Sequence, residues 1–144
     1  MNQNIKKDEW YENRILWRAK QHKLFDKRCM KYADAPKKVK EVIESCAKYE
    51  GIPVLLFFEN CKLWTLLTTN EVISFFDDKL QSGKLDLIQK EIKIKRSDLP
   101  NQSHSIKESE FISLVNLGVT VWVPAGAELF ALMNILQMFP LNVK

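Results

Sequence analysis

The chain has 144 residues and a mass of 16.9 kDa, carries a formal net charge of +4 at pH 7, and is 46% hydrophobic and 28% charged. That length lets one domain, spanning residues 1–144, bury a core without metals or disulfides to staple it. With only four Gly and five Pro, the composition excludes a low-complexity or disordered chain.

Asp8 precedes a stretch in which Trp10, Trp17 and Leu24 recur every seven residues, with Tyr11, Ile15, Phe25 and Cys29 beside them. This spacing predicts a long helix to about Lys31 with both tryptophans on its buried side. Asp34 and Pro36 then supply cap and first-turn signals for a second helix, with apolar positions Val39, Val42, Ile43, Cys46 and Ala47. Gly51 and Pro53 end the helical part, expected over 8–50.

Beyond Gly51 come short apolar runs cut by polar turns: IPVLLFF at 52–58, LWTLLT at 63–68, VISFF at 72–76, KLDLI at 84–88, IKIK at 92–95, FISLVN at 111–116 and VTVWV at 119–123. These read as six to seven strands over 52–123. The connections at 59–61, 69–71, 81–83 and 117–118 suit hairpins, so the sheet is expected to be antiparallel. Asp77 and Asp78 suit a turn better than shared acid/base chemistry. In IKIK the two residue types alternate, as on a half-buried strand, whereas IPVLLFF has no alternation and demands cover on both faces. The first two helices are the expected cover for that strand.

From Val119 to Val143 the only formal charge is Glu128, long enough in principle to span a bilayer. Pro124 and Gly126 split the run into a strand and a closing helix over 125–139, so no integral membrane segment is expected. That helix is apolar nearly all round and is expected to be buried on more than one side, either between the sheet and the first helices or at a subunit interface, of which the first, a monomer, is preferred because it needs no second chain.

The resulting class is α+β: two helices, an antiparallel meander forming a barrel or strongly bent sheet, and a closing helix. Residues 52–140, with WTLLTTNEVISFF in the second and third strands and VTVWVPAGAELFALMNIL running strand into helix, resemble the bacterial relatives of the pleckstrin-homology-like (PH-like) fold. The resemblance implies a scaffold that holds peptides, proteins or lipid headgroups and does no chemistry. Phosphoinositide binders of that family place several basic residues around the first hairpin. Here that hairpin reads Glu59, Asn60, Cys61, Lys62, so this activity is not carried over.

Chemical motifs are sparse. His22 and His104 stand far apart without helix-spaced ligand partners, so no metal or cofactor is expected. The odd number of widely spaced cysteines (Cys29, Cys46, Cys61) and the lack of an apolar leader at the amino terminus point to a reducing cytoplasm, with all three thiols acting as small buried hydrophobes. No glycine-rich phosphate loop or GxSxG turn is present, which leaves Cys61 with His104 as the remaining nucleophilic combination and an unrecognised hydrolase as the third-ranked reading.

Charge is segregated. Residues 1–50 carry 13 basic and 8 acidic side chains, the rest 9 and 10. Lys20, Lys23, Lys27 and Lys31 are expected to form a stripe on the first helix beside Arg14 and Arg18, with Lys37, Lys38 and Lys40 at the start of the next. Such a face suits an acidic protein surface or nucleic-acid phosphates, although a merely solvated helix face has the same composition. The polar segment SDLPNQSHSIKESE at 97–110, with His104, Lys107 and Glu108, is a second candidate binding element. Together these observations favour a non-enzymatic protein-binding domain of a bacterial cytoplasm, in the manner of a small toxin-neutralising immunity protein, over a nucleic-acid binder.

Overall fold

The computed structural model describes residues 3–88, 91–95 and 110–139. Among these residues, three α-helices and eight antiparallel strands make an α+β fold.

Helix α1 (Gln3–Gln21) buries Tyr11, Ile15 and Ala19, spaced by four, rather than the heptad pair Trp10 and Trp17. It stops ten residues short of the expected Lys31, because Lys23 takes a left-handed conformation (φ 56°) that turns the chain away from the helix axis. A 3-10 turn at Leu24–Asp26 then drives Leu24 into the core. Cys29 follows it inside, and Met30–Lys31 forms a short strand, β1. After a turn at Tyr32–Asp34, helix α2 (Lys37–Cys46) fully buries a single side chain, Ile43. Cys46 is exposed because the buried stripe of α2 runs through Val39, Ile43 and Ala47, spaced by four, and Cys46 falls on its flank; Cys61 is exposed at a hairpin tip, and of the three thiols only Cys29 is buried.

Strands β2 (Pro53–Asn60), β3 (Leu63–Thr68), β4 (Glu71–Phe76) and β5 (Lys79–Lys84) join β1 in one antiparallel sheet of order β1-β2-β3-β4-β5. Asp77 and Asp78 make the tight β4–β5 hairpin with φ of 55° and 57°, the two left-handed positions that a two-residue turn requires. Residues 81–83, expected as a connection, lie inside β5, and the expected strand at 84–88 is instead a 3-10 turn at Leu85–Leu87. Gly83 lets β5 approach its neighbours closely: a Cβ there would lie 2.8 Å from Leu117 Cδ1. Strands β6 (Ile92–Lys95), β7 (Phe111–Leu114) and β8 (Val119–Trp122) form a second antiparallel sheet, after which helix α3 (Ala127–Leu136) follows. Among the described residues the strands thus make two sheets and no closed barrel.

Both faces of the larger sheet are covered, as the unalternating run at 52–58 requires. Leu55, Phe57, Leu67 and Val72 enter a core shared with α1, α3 and the second sheet. Leu56, Trp64, Leu66 and Ile73 enter another, with Tyr32, Ala35, Ile43 and Ala47. Each fully buried Leu or Ile contributes about 2 kcal/mol. In α3, Leu129, Leu132, Ile135 and Leu136 are buried while Phe130 is exposed, and Phe139 packs on Tyr11 of α1 with ring centroids 4.8 Å apart. Among the described residues, no helix is long and apolar enough to cross a membrane.

A ring of three hydrogen bonds stitches the sheets together. The Trp122 amide donates to Ser74 Oγ at 2.9 Å, and the Thr65 hydroxyl donates to the Trp122 carbonyl. Since the single Thr65 proton is committed there, Ser74 must donate to Thr65 Oγ1, 2.8 Å away. Farther along β8, the Thr120 amide donates to Gln81 Oε1 at 2.9 Å. Side chains of one sheet therefore satisfy the main chain of the other.

Candidate functional site

The two sides of α1 have different fates. Tyr11 anchors one side: its hydroxyl donates to Asp86 Oδ1 at 2.6 Å, and Lys7 pairs with Asp86 Oδ2 at 2.5 Å. On the other side Trp10 and Trp17 face solvent, 37% and 46% exposed, which corrects their expected place in the core. The guanidinium of Arg14 lies 4.7 Å from the Trp17 ring centroid and that of Arg18 lies 5.3 Å from it. Two cations on one indole partly shield its apolar surface, and each such contact contributes about 0.5–1 kcal/mol at an exposed site. The exposed indole is tolerated for this reason.

The lysine stripe does not exist as a helical face, because α1 ends at Gln21. Lys20 lies in its last turn, Lys23 at the left-handed reversal, Lys27 just past the 3-10 turn and Lys31 on β1. The fold nonetheless brings two of them together. Lys20 and Lys31 line a cleft of about 300 Å³ with Phe25, Cys29, Met30 and Asp34, and the Lys31 ammonium stands 5.6 Å from the Phe25 ring centroid. Burial pushes the Cys29 thiol up to about 12, against the opposing effect of a backbone hydrogen bond with Leu56, so this part of the cleft is uncharged at neutral pH. Lys37 and Lys38 are exposed in the first turn of α2, where the helix dipole does not favour cations. Lys40 is drawn back onto its own chain, donating to the Ala33 carbonyl at 3.1 Å beside the Tyr32 ring.

Close to the cleft, Arg28 reaches α3. Its Nε donates to Glu128 Oε2 at 2.7 Å and a terminal nitrogen donates to the Ala125 carbonyl at 3.0 Å. Burial of Glu128 opposes its ionisation, but the hydrogen bond and charge of Arg28 outweigh it and hold the carboxyl below its ordinary value. Arg28 is raised reciprocally, chiefly by its bond to Glu128.

A second cleft, of about 290 Å³, is lined by Lys7, Asp8, Glu50, Gly51, Thr69 and Asn70. Its polar groups serve one another. Thr69 Oγ1 accepts from the Ile52 amide at 2.9 Å and donates to Asp8 Oδ1 at 3.0 Å, while Glu50 Oε2 accepts from Asn70 Nδ2 at 3.0 Å and from Lys84 Nζ at 3.3 Å. This network pins α1 and the 47–52 segment to the β3–β4 turn.

Of the other candidates, Cys61 is exposed on the β2–β3 turn, and His104, Lys107 and Glu108 lie outside the described residues. Among the described residues, no group of three or more His, Cys, Asp or Glu is placed to hold a metal ion. Sequence reasoning missed Trp17, Phe25 and Met30 as surface elements. One signal was available: Arg14, three residues before Trp17, is spaced to reach that ring on a helix. Comparison with protein-family models, with curated proteins and with solved structures finds no match to this chain.

Proposed function

We propose that this chain is a non-catalytic protein-binding domain that docks a partner through the outer face of α1. The observation that carries the reading is Trp17, 46% exposed and clasped by Arg14 and Arg18 on a helix whose opposite side is anchored in the core. Tryptophan and arginine are the residues most enriched at the energetic centres of protein interfaces, where a rigid ring contributes large contact area at little entropic cost. Rim charges such as Lys20, Lys23 and Lys27 speed encounter with an acidic partner. A PH-like, strongly bent scaffold in a bacterial cytoplasm, acting as an immunity-type neutraliser of a toxin, belongs to the same reading and is supported by its size and its binding-scaffold resemblance.

The test is affinity capture from the native cell with the tagged full chain and with a Trp17→Ala, Arg14→Ala variant. A partner retained by the parent and depleted at least tenfold by the variant, at matched melting temperature, is the expected result. Equal retention by both proteins would overturn the reading.

The same cluster favours one alternative, stacking of nucleic-acid bases on Trp17 with phosphates on Arg14 and Arg18. That mode predicts quenching of tryptophan fluorescence by oligothymidylate, weakened by rising salt and abolished by reversing Lys20, Lys23 and Lys27 to Glu.

A further inference from the structure

The cleft beside the end of α1 joins apolar surface to positive charge. Phe25 and Met30 give it a ring and a thioether, Cys29 an uncharged thiol, and Lys20 and Lys31 two ammonium groups. Lys20 follows Trp17 by three residues on α1, so the cleft adjoins the arginine–tryptophan face as its neighbour on the helix surface. At about 300 Å³ it stands at the small end of ligand pockets, fit for side chains of a segment rather than for a whole domain.

On this basis, and resting on the protein-binding reading above, we infer that the cleft receives an acidic-aromatic peptide segment of the partner, its carboxylate held by Lys20 and Lys31 and an adjacent apolar side chain lying on Phe25 and Met30. Asp34, the remaining lining residue, selects a peptide over a polyphosphate backbone. A peptide offers main-chain N–H groups for this carboxylate to accept from, a donor that a phosphodiester linkage lacks. Lysine stems also cover apolar surface while their heads stay wet, so the apolar and charged demands of one segment are met by the same walls.

The experiment uses the full chain and three end-blocked synthetic peptides of equal length: alternating Glu and Phe, alternating Glu and Ser, and alternating Lys and Phe. Oligothymidylate serves as a competitor, and affinities are read by calorimetry at low and at physiological ionic strength. The Glu/Phe peptide is expected to bind, the Glu/Ser peptide several-fold more weakly, and the Lys/Phe peptide not at all. Lys20→Glu and Lys31→Glu should each weaken the Glu/Phe peptide by roughly tenfold. Because Lys31→Glu also removes a contact with Phe25, Lys31→Gln is measured beside it and should fall between the parent and the reversal. Absence of Glu/Phe binding, indifference to both lysine reversals, equal binding of the Lys/Phe peptide, or displacement by oligothymidylate would each overturn the inference. If a native partner is still captured through Trp17 while the lysine variants retain it fully, the cleft assignment fails and the protein-binding reading stands. If neither set of substitutions affects capture, both fail.

Discussion

One face of the five-stranded sheet is closed by α1, α3 and three further strands, and the other by the ten residues of α2 and the segment around Tyr32. The first core satisfies its buried polar groups in a ring, Thr65 to Trp122 to Ser74 and back. The second holds Trp64, fully buried, whose indole N–H has no acceptor among the described residues. An orphaned donor of this kind costs about 1–3 kcal/mol, so the core on the thin side carries both less cover and an unmet polar demand; on α1 it is the half-buried Arg18 that leaves its Nε without an acceptor among the described residues. The lesson is that the fold is held from one side. Its candidate docking face lies on α1, which belongs to the well-closed side, and a rigid support is what a small interface needs to avoid ordering costs on binding.

Cavities provide the strongest probe of this asymmetry. Leu132→Ala, in the larger core, should cost about 4 kcal/mol in chemical denaturation, while Ile43→Ala under α2 should cost about 2.5 kcal/mol because a lightly covered site relaxes around the loss. Equal costs would show that α2 closes its core as tightly as α1 and α3 close theirs. An effect of the same size as that of Ile43→Ala is expected from Ser74→Ala. It strands the buried Trp122 amide and should cost about 2–3 kcal/mol, with a strongly non-additive double mutant when combined with Thr65→Val. Additive losses would mean that the ring does not act as a unit.

The smallest effect concerns acid. Glu128 is held below its ordinary value of about 4.5 in the folded chain, so its contribution is complete above that value and is lost as pH falls through the folded value. Glu128→Gln should therefore lower stability by about 1 kcal/mol at neutral pH and leave it nearly unchanged in strong acid. Parallel pH profiles of the parent and the variant would remove Arg28–Glu128 from the account of how α3 is fastened.

The order of elements and the antiparallel pairing were legible because they rest on local patterns: doubly buried IPVLLFF, the Asp77–Asp78 turn, and Pro124 and Gly126 separating β8 from α3. Legibility failed where tertiary contacts overrode local pattern. KLQSGK is too polar to advertise a strand, yet it becomes β5 because Gly83 fits against Leu117 and Gln81 against β8. On α1, Trp10 and Tyr11 are neighbours, so the helix had to choose between two adjacent stripes, and the heavier one was the wrong guide. It buried the stripe whose members are spaced by four, while Arg14 and Arg18 made the exposed indole acceptable. The end of α1 left no glycine to mark it; the reversal is made by Lys23. The cleft was invisible for that reason, since Lys20 and Lys31 meet only once the helix has ended.

The ring at Ser74 also has a kinetic meaning. Two of its three bonds join residues 48 and 57 apart in the chain, so each of these closes a long loop, and such contacts are entropically late. An interaction absent from the folding barrier slows unfolding without speeding folding. The hydroxyl and amide groups that bridge the two sheets should therefore lengthen the lifetime of the native molecule, an effect read as faster unfolding of Ser74→Ala at an unchanged folding rate.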